Sequence, residues 1–337
     1  MAQKLVSILT PCYNTASYIH RLLDSILSQT YQNLEMILVN DGSTDNLLDV
    51  LEGYKKKFKD RGIPFLILNQ ENSGQSVAIK NGLQYVKGDY LVWPDSDDFY
   101  ASPEAIEKMV STLEEAGDEY AIVRVQQNLL AEDSLKKKAM NGSSANLHNG
   151  KTLFEDCLFQ RNDFYFGAGA YLADLNKLRL CCDLNIYTEK NAGQNWQLLL
   201  PILYNYKCVS ILEPLYNVII RKSSHSRNQF IGIEQELIRF TTYEKTIIET
   251  LKIIESMPER IRQQYIKKIK QKYYIIKLKT AFRYNDKDRF FIIYKECSHN
   301  NTITTTMIIM SIVMSFPHLA IQTQRIWSFI KNQFIYK

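Results

Sequence analysis

A short apolar run ending in a polar turn occurs four times in the first hundred residues, and after each of the first three a helical spacing of apolar side chains follows. Lys4-Leu5-Val6-Ser7-Ile8-Leu9-Thr10 stops at Pro11 and gives way to Ile19, Leu22, Leu23, Ile26 and Leu27, a strand passing into a helix. Leu34 to Val39 leads to Asn40-Asp41-Gly42-Ser43-Thr44-Asp45, after which Leu47, Leu48, Val50 and Leu51 resume a helix. Pro64 to Leu68 leads to Asn69-Gln70-Glu71-Asn72-Ser73-Gly74 and a helix through Val77, Ile79 and Leu83. The fourth run, Asp89-Tyr90-Leu91-Val92-Trp93, ends on Asp95-Ser96-Asp97-Asp98. Such alternation predicts an α/β fold: a parallel sheet covered by helices, whose right-handed crossovers put every strand-to-helix turn on one edge. Ligands of open sheets bind outside the carboxyl ends of the strands, so Thr10-Pro11, Asp41, Asn72 to Gly74 and Asp95 to Asp98 are expected to line one cleft.

The fourth turn is the most demanding chemically. Three carboxylates so close in sequence repel one another unless a cation neutralises them, and a hard divalent ion with oxygen ligands would do so. A metal-bound anion such as a diphosphate is then the expected client. The plain alternative is turn and capping chemistry, because Ser102-Pro103-Glu104 just beyond is a good helix start. Convergence of the other turns on the same edge favours the metal.

Thr10-Pro11-Cys12-Tyr13-Asn14, Asn40 to Asp45, Asn72-Ser73-Gly74 through Lys80-Asn81-Gly82, and Asp95-Ser96-Asp97-Asp98 resemble, in order, the motifs of family 2 glycosyltransferases. The resemblance is dense over the N-terminal third and continues more loosely to about Arg227. It implies a nucleotide-diphospho-sugar transferase with a GT-A type domain and a mostly parallel sheet, inverting the anomeric carbon with Mn2+ or Mg2+. By the same resemblance Pro11, Tyr13 and Asn14 border the base and ribose, Asp41 accepts the base N–H, and Asp95 meets the ribose. Thr10, Asn72, Gly74 and Ser96 complete the nucleotide-sugar set. Asp97 would hold the metal, and Asp98 would contact the sugar or support the metal site. Lys80 stands where the family often has arginine, which keeps the charge but loses the bidentate fork.

Gly193-Gln194-Asn195-Trp196-Gln197 departs from the family pattern. Many members have Gly-Glu-Asp there, and that Asp is the expected general base, a role an amide cannot fill because it does not titrate near neutrality. Either another carboxylate is the base, with Glu189 nearest and Asp98 and Asp183 behind it, or the chain is a non-catalytic nucleotide-sugar-binding module. The same form is similar to that of a subgroup of bacterial surface-polysaccharide transferases. Gln194 and Asn195 would then orient acceptor hydroxyls and Trp196 would stack on a sugar; a plain core aromatic is the alternative for Trp196.

Two later strands, Val209 to Leu212 and Leu215 to Ile220, run into Arg221-Lys222-Ser223-Ser224-His225-Ser226-Arg227. In transferases of this kind a histidine here completes the metal shell, which makes His225 the second candidate ligand, and the cations meet the departing diphosphate. From Gln126 to Gly150 the pattern lapses into a polar loop with no apolar period.

With 337 residues, 45% of them apolar, the chain exceeds one ordinary core. The expected division is a glycosyltransferase domain over 1–227 and a helical, basic appendage over 228–337. Arg260 to Lys295 holds twelve basic residues against Asp286 and Asp288, a net +10, in a chain whose total is +5. With Tyr265, Tyr273, Tyr274, Phe282 and Tyr284 interleaved, this stretch suits an anionic membrane surface, a solvated helical face being the plain alternative. Nucleic acid is not expected as a partner.

The apolar run Met307 to Phe316 is too short to span a bilayer, which takes about 20 apolar residues. It is either a buried helix or an interfacial one. Six cysteines without regular spacing show neither a zinc pattern nor a disulfide framework, and Met1 to Lys4 passes directly into the first strand. A cytoplasmic protein, peripheral on the inner face of the membrane where lipid-linked acceptors are found, is therefore expected. Its donor would be a nucleotide sugar, expected as a UDP-sugar, and its acceptor a hydroxyl of a surface glycan or lipid-linked precursor. A sugar-1-phosphate nucleotidyltransferase would need a glycine-rich basic loop near the N-terminus, and Thr10 to Asn14 is not one.

Overall fold

The computed structural model describes residues 3–141, 153–189, 192–221, 231–300 and 302–315. The predicted alternation is present as β1 (Val6–Cys12), α1 (Ile19–Leu27), β2 (Leu34–Asp41), α2 (Leu47–Asp60), β3 (Phe65–Gln70), α3 (Gln75–Leu83) and β4 (Tyr90–Val92). There follow β5 (Phe99–Tyr100), α4 (Ala105–Ala116), β6 (Tyr120–Ala131), β7 (Lys137–Asn141), α5 (Phe154–Phe159), β8 (Tyr171–Asp174), α6 (Leu175–Cys181), α7 (Gln194–Asn205) and β9 (Lys207–Ile220). The helices α8 (Ile233–Lys252), α9 (Glu259–Arg283), α10 (Lys287–His299) and α11 (Thr305–Ser315) complete the described chain.

The strands form one sheet in the order β3-β2-β1-β4-β8-β6-β9-β5, with β7 beside β6. The half that carries the four turns is parallel, β3 on β2, β2 on β1 and β1 on β4. Every residue of β1 and β2 is buried, as a parallel strand covered on both faces requires. In α1 the buried side chains are Ile19, Leu22, Leu23 and Ile26, the stripe the spacing predicted.

Three expectations are corrected. β1 does not stop at Pro11 but runs to Cys12, Pro11 facing Val39. β4 accompanies β1 only over Val6–Ile8, so at Pro11 the strand is an edge, where a missing N–H is tolerated. The expected loop from Gln126 holds the end of β6 and the antiparallel β7 as far as Asn141, while 142–150 lie outside the described residues. Polar residues suit this strand because ladder bonds to β9 and β7 satisfy the backbone and side chains pair across it, as Asn128 Nδ2 does with Asn217 Oδ1 at 3.0 Å. The two strands expected before Arg221 are the single β9, whose register against β6 jumps from Ile211 to Pro214. That irregularity absorbs the residues that looked like a turn.

The chain forms two compact units, and the division is not one cut at Arg227: Lys245–Pro258 belongs with Met1–Arg227, and Asn228–Glu244 with Glu259–Lys337. Ile247, Leu251, Ile254 and Met257 of the returning segment are buried, and Ser256 Oγ donates to Asn205 Oδ1 of α7 at 2.7 Å. The second unit has its own apolar core, in which Leu278, Ala281, Phe290, Cys297, Met307, Met310 and Met314 pack together. α11 thus buries its methionine face, while Ile308, Ile309 and Ile312 remain exposed.

Candidate active site

Hydrogen bonds involving side chains tie each of the four turns to the next. The Asn14 N–H donates to Ser43 Oγ at 3.0 Å, and the Thr44 N–H donates to Asn14 Oδ1 at 2.8 Å, which ties the first turn to the second. Asp41 ties the second to the third: its Oδ1 accepts from the Ser73 N–H at 2.8 Å and from Gln70 Nε2 at 2.7 Å, and its Oδ2 accepts from the Gly74 N–H at 2.9 Å. These turns approach so closely that a Cβ at Gly42, where φ is +69°, would lie 2.7 Å from the Asn72 backbone nitrogen. Only glycine fits there. Gln75, opening α3, reaches the fourth turn and donates to Asp95 Oδ1 at 3.0 Å.

The fourth turn concentrates acid in little water. Burial, and next the charge of Asp97, push the Asp95 carboxyl up to about 7. Asp98 is raised well above the ordinary carboxylate range, chiefly by burial and then by Asp97 and Asp95. Its Oδ1 accepts the Ile219 N–H of β9 at 2.8 Å, which locks the turn to that strand and points Asp98 inward. Asp97 faces a cation: Arg221 Nε lies 2.7 Å from its Oδ2. The guanidinium of Arg221 also stacks over the Tyr18 ring at 4.9 Å, and the Tyr18 hydroxyl donates to Glu132 Oε1 at 2.8 Å.

Gln194 to Gln197 turn their polar groups inward. Gln194 is 1% exposed and its Nε2 lies 3.4 Å from Asp95 Oδ1, so it braces the aspartate turn rather than an acceptor. Asn195 accepts from the Trp93 indole N–H at 2.9 Å through Oδ1 and donates to the Phe166 carbonyl at 3.1 Å through Nδ2. Both ends of its amide are engaged in joining β4's turn to the 166 segment. Trp196 is 6% exposed, donates to the Cys157 carbonyl at 3.2 Å and meets Phe166 edge to face. It is the core aromatic, and sugar stacking is not open to it. Gln197, fully buried, accepts the Tyr187 N–H at 2.5 Å and donates to the Tyr187 carbonyl at 3.0 Å, pinning the segment that carries Glu189.

Glu189 itself accepts from the Tyr187 hydroxyl and pairs with Lys245 Nζ at 3.0 Å. The tyrosine hydroxyl first, and the lysine second, hold its carboxyl below the usual range. Its backbone carbonyl takes a bond from Ser76 Oγ of α3 at 3.3 Å, which places it beside the third turn. Of the other carboxylates weighed as base, Asp98 is buried against β9, and Asp183 is exposed and accepts the Asn185 N–H at 2.9 Å.

Thr10, Pro11 and Ser96 are buried, Tyr13 and Lys80 half-buried, and Asn14 and Asn72 exposed. The Thr10 hydroxyl is buried without a hydrogen-bond partner. His225 lies outside the described residues. Sequence reasoning missed Gln70, Gln75, Tyr18, Gln197 and Lys245, and saw Arg221 only as one of a group of cations. Lys245 carried no signal at all, since it lies beyond the expected domain boundary and is returned by the fold. Among the described residues no group of three His, Cys, Asp or Glu side chains could hold a metal ion unaided.

The sequence profile of the family described as Glycosyl transferase family 2 matches residues 7–172. Glycosyltransferase GlyA of Streptococcus pneumoniae is 27% identical over 223 residues, 66% of this chain and 31% of its own. The chain spans about a third of the length of the curated relatives it matches. Among solved structures, TarS of S. aureus in complex with UDP-GlcNAc is similar with a TM-score of 0.60 at 14% identity, covering 86% of this chain and 79% of that one. Mannosyltransferase PcManGT from Pyrobaculum calidifontis, in complex with GDP-Man and Mn2+, has a TM-score of 0.51 at 13% identity, covering 100% and 89%. These likenesses show the fold, a mixed α/β domain of the GT-A type.

Proposed function

This chain belongs, through residues 7–172, to glycosyl transferase family 2, and from that premise we propose that it is an inverting, metal-dependent glycosyltransferase. It moves a sugar from a UDP-sugar to a hydroxyl of a surface polysaccharide or its lipid-linked precursor. The observation that carries this reading is the fourth turn, where Asp95 and Asp97 stand close together, poorly solvated, with Arg221 beside them, at the sheet edge that carries the other three turns. A site with surplus negative charge at the mouth of such a cleft suits a divalent ion brought with an anionic ligand. That a nucleotide sugar fills the cleft is supported by the neighbours solved with UDP-GlcNAc and with GDP-Man.

The hard carboxylate oxygens of Asp95, Asp97 and Asp98, close together in one turn, suit Mn2+ or Mg2+, and Asp97 would hold the ion. When bound, the ion neutralises charge on the departing diphosphate. The rest falls to side chains. Asp41 and Asn14 shape the base and ribose end, and Asp95, braced by Gln75 and Gln194, presents its free oxygen to the ribose. Glu189 takes the proton of the acceptor hydroxyl as its oxygen bonds to the anomeric carbon, and the bond from that carbon to the diphosphate oxygen breaks with its electron pair leaving on phosphate. A carboxylate paired with Lys245 is a weak base at rest, so the acceptor must loosen that pair for Glu189 to act.

A second reading is favoured by the engagement of Asn195: a binding module that keeps the donor site and has no base. Screening UDP-sugars and other nucleotide sugars for Mn2+-dependent binding, and for transfer or slow hydrolysis, separates the two. Transfer or hydrolysis with any donor supports the enzyme; tight binding with neither supports the module; binding without a metal requirement removes the metal.

Peripheral attachment to anionic membrane is part of the proposal. Among the described residues no helix is long and apolar enough to cross a membrane. The net +10 segment and the exposed Ile308, Ile309 and Ile312 are what would meet a lipid surface.

A further inference from the structure

The pairing of Arg221 with Asp97 has a consequence for the order in which ligands enter. Both side chains are largely withdrawn from water, 15% and 17% exposed. A desolvated ion pair of this kind resists loss of one partner, since the charge left behind is buried and uncompensated. The guanidinium is held from its other side by the Tyr18 ring at 4.9 Å, and Tyr18 is anchored through its hydroxyl to Glu132 at 2.8 Å. Arg221 is therefore a built-in counter-ion of the aspartate turn, stationed on the carboxylate oxygen that a divalent ion would need.

We propose that Arg221 is a positioning residue that makes metal uptake conditional on the nucleotide: it occupies Asp97 while the cleft is empty and transfers to the diphosphate when the donor enters, freeing Asp97 for the ion. The inference rests on the reading of Asp97 as the metal ligand. Its chemistry is that of a guanidinium, which pairs with a carboxylate or a phosphate alike; here it meets Asp97 through Nε as an ion pair, which a diphosphate could replace with a bidentate one. Stacking on Tyr18 keeps the released group at the cleft. Without nucleotide, an incoming ion must displace Arg221 with nothing to receive it. With nucleotide, the displaced cation gains a phosphate partner, and the two ligands favour each other's binding.

The test titrates Mn2+ into the nucleotide-free full chain, reading free Mn2+ by electron paramagnetic resonance, and separately measures UDP binding by calorimetry in excess chelator. Arg221→Met should bind Mn2+ alone at least about tenfold more tightly than the parent, because the competitor is gone. The same variant should bind UDP in chelator at least about tenfold more weakly, because the phosphate has lost its cation. If circular dichroism shows that Arg221→Met does not fold, Tyr18→Leu loosens the same guanidinium from its far side and should shift both affinities in the same directions. Unchanged Mn2+ affinity in the folded variant, or unchanged UDP affinity in chelator, overturns the inference. Asp97→Asn separates it from the reading beneath: persisting Mn2+ binding in that variant removes Asp97 as the ligand, whereas loss of binding there, with no change in Arg221→Met, defeats the role of Arg221 alone.

Discussion

Around Asp41 and Asp95 the polar side chains knit one turn to the next, whereas Gln194 to Gln197 tie the aspartate turn to the 166 and 187 segments. In the first region the bonds run between neighbouring turns, from Ser73 and Gly74 to Asp41 and from Gln75 to Asp95. The second region, Gln194 to Gln197, spends its amides on Asp95, Trp93, Phe166 and Tyr187. The contrast teaches that a helix start next to a ligand site can serve as the scaffold of that site. Its amides suit this work because each offers a donor and an acceptor at fixed spacing, so one residue bridges two partners that a carboxylate could not both satisfy.

The sharpest break of that contrast is Asp97→Ala. Removing the carboxylate that faces the cleft should leave no detectable transfer and no Mn2+-dependent nucleotide binding, in a protein with parental circular dichroism. Parental turnover in chelator for this variant would mean that the acidic turn is only structural.

Glu189→Gln comes next. If Glu189 is the base, turnover should fall about 100- to 10,000-fold with donor affinity unchanged, as measured by initial rates and calorimetry. Equal loss of donor affinity would make Glu189 part of the scaffold, like the amides that follow it.

Asn195→Asp probes the scaffold from the other side. A carboxylate there keeps the bond from Trp93 but sets an oxygen against the Phe166 carbonyl, leaving that partly buried acceptor without its donor. The cost should be about 1–3 kcal/mol in denaturant unfolding, with no gain in turnover. A variant that is as stable as the parent and faster would restore position 195 as the seat of the base.

The smallest effect is a shift of pH dependence. Tyr187 and then Lys245 hold the Glu189 carboxyl low, so the acidic limb of the rate profile should lie below the ordinary carboxylate range. Lys245→Met should move that limb to higher pH. The sign for stability follows: a depressed carboxyl contributes stability present above its unfolded pKa and lost as pH falls through the folded one. Since Glu189 and Lys245 are both well exposed, that contribution should be barely measurable in unfolding experiments. An acidic limb that does not move in Lys245→Met would detach Glu189 from the chemistry.

The alternation of apolar runs and polar turns was by itself enough to determine the parallel half of the sheet and the edge on which the turns meet, because period and crossover handedness are local properties of the chain. It also determined which residues stand in those turns. Tertiary structure decided what each of them faces. Asn195 and Trp196 look like acceptor groups in sequence, and only the approach of Trp93, Phe166 and Cys157 consumes them. Lys245 reaches Glu189 from 56 residues further along, because buried apolar side chains carry that segment back to the first unit. Gln126 to Asn141 reads as a loop until β9 and β7 supply the ladder bonds that make it strand. Arg221 is one cation among several in the sequence, and becomes the partner of Asp97 only because Ile219 is bonded to Asp98 and draws the end of β9 onto the aspartate turn. Partners distant in the chain are chosen by packing, and packing is not written in the period of any one segment.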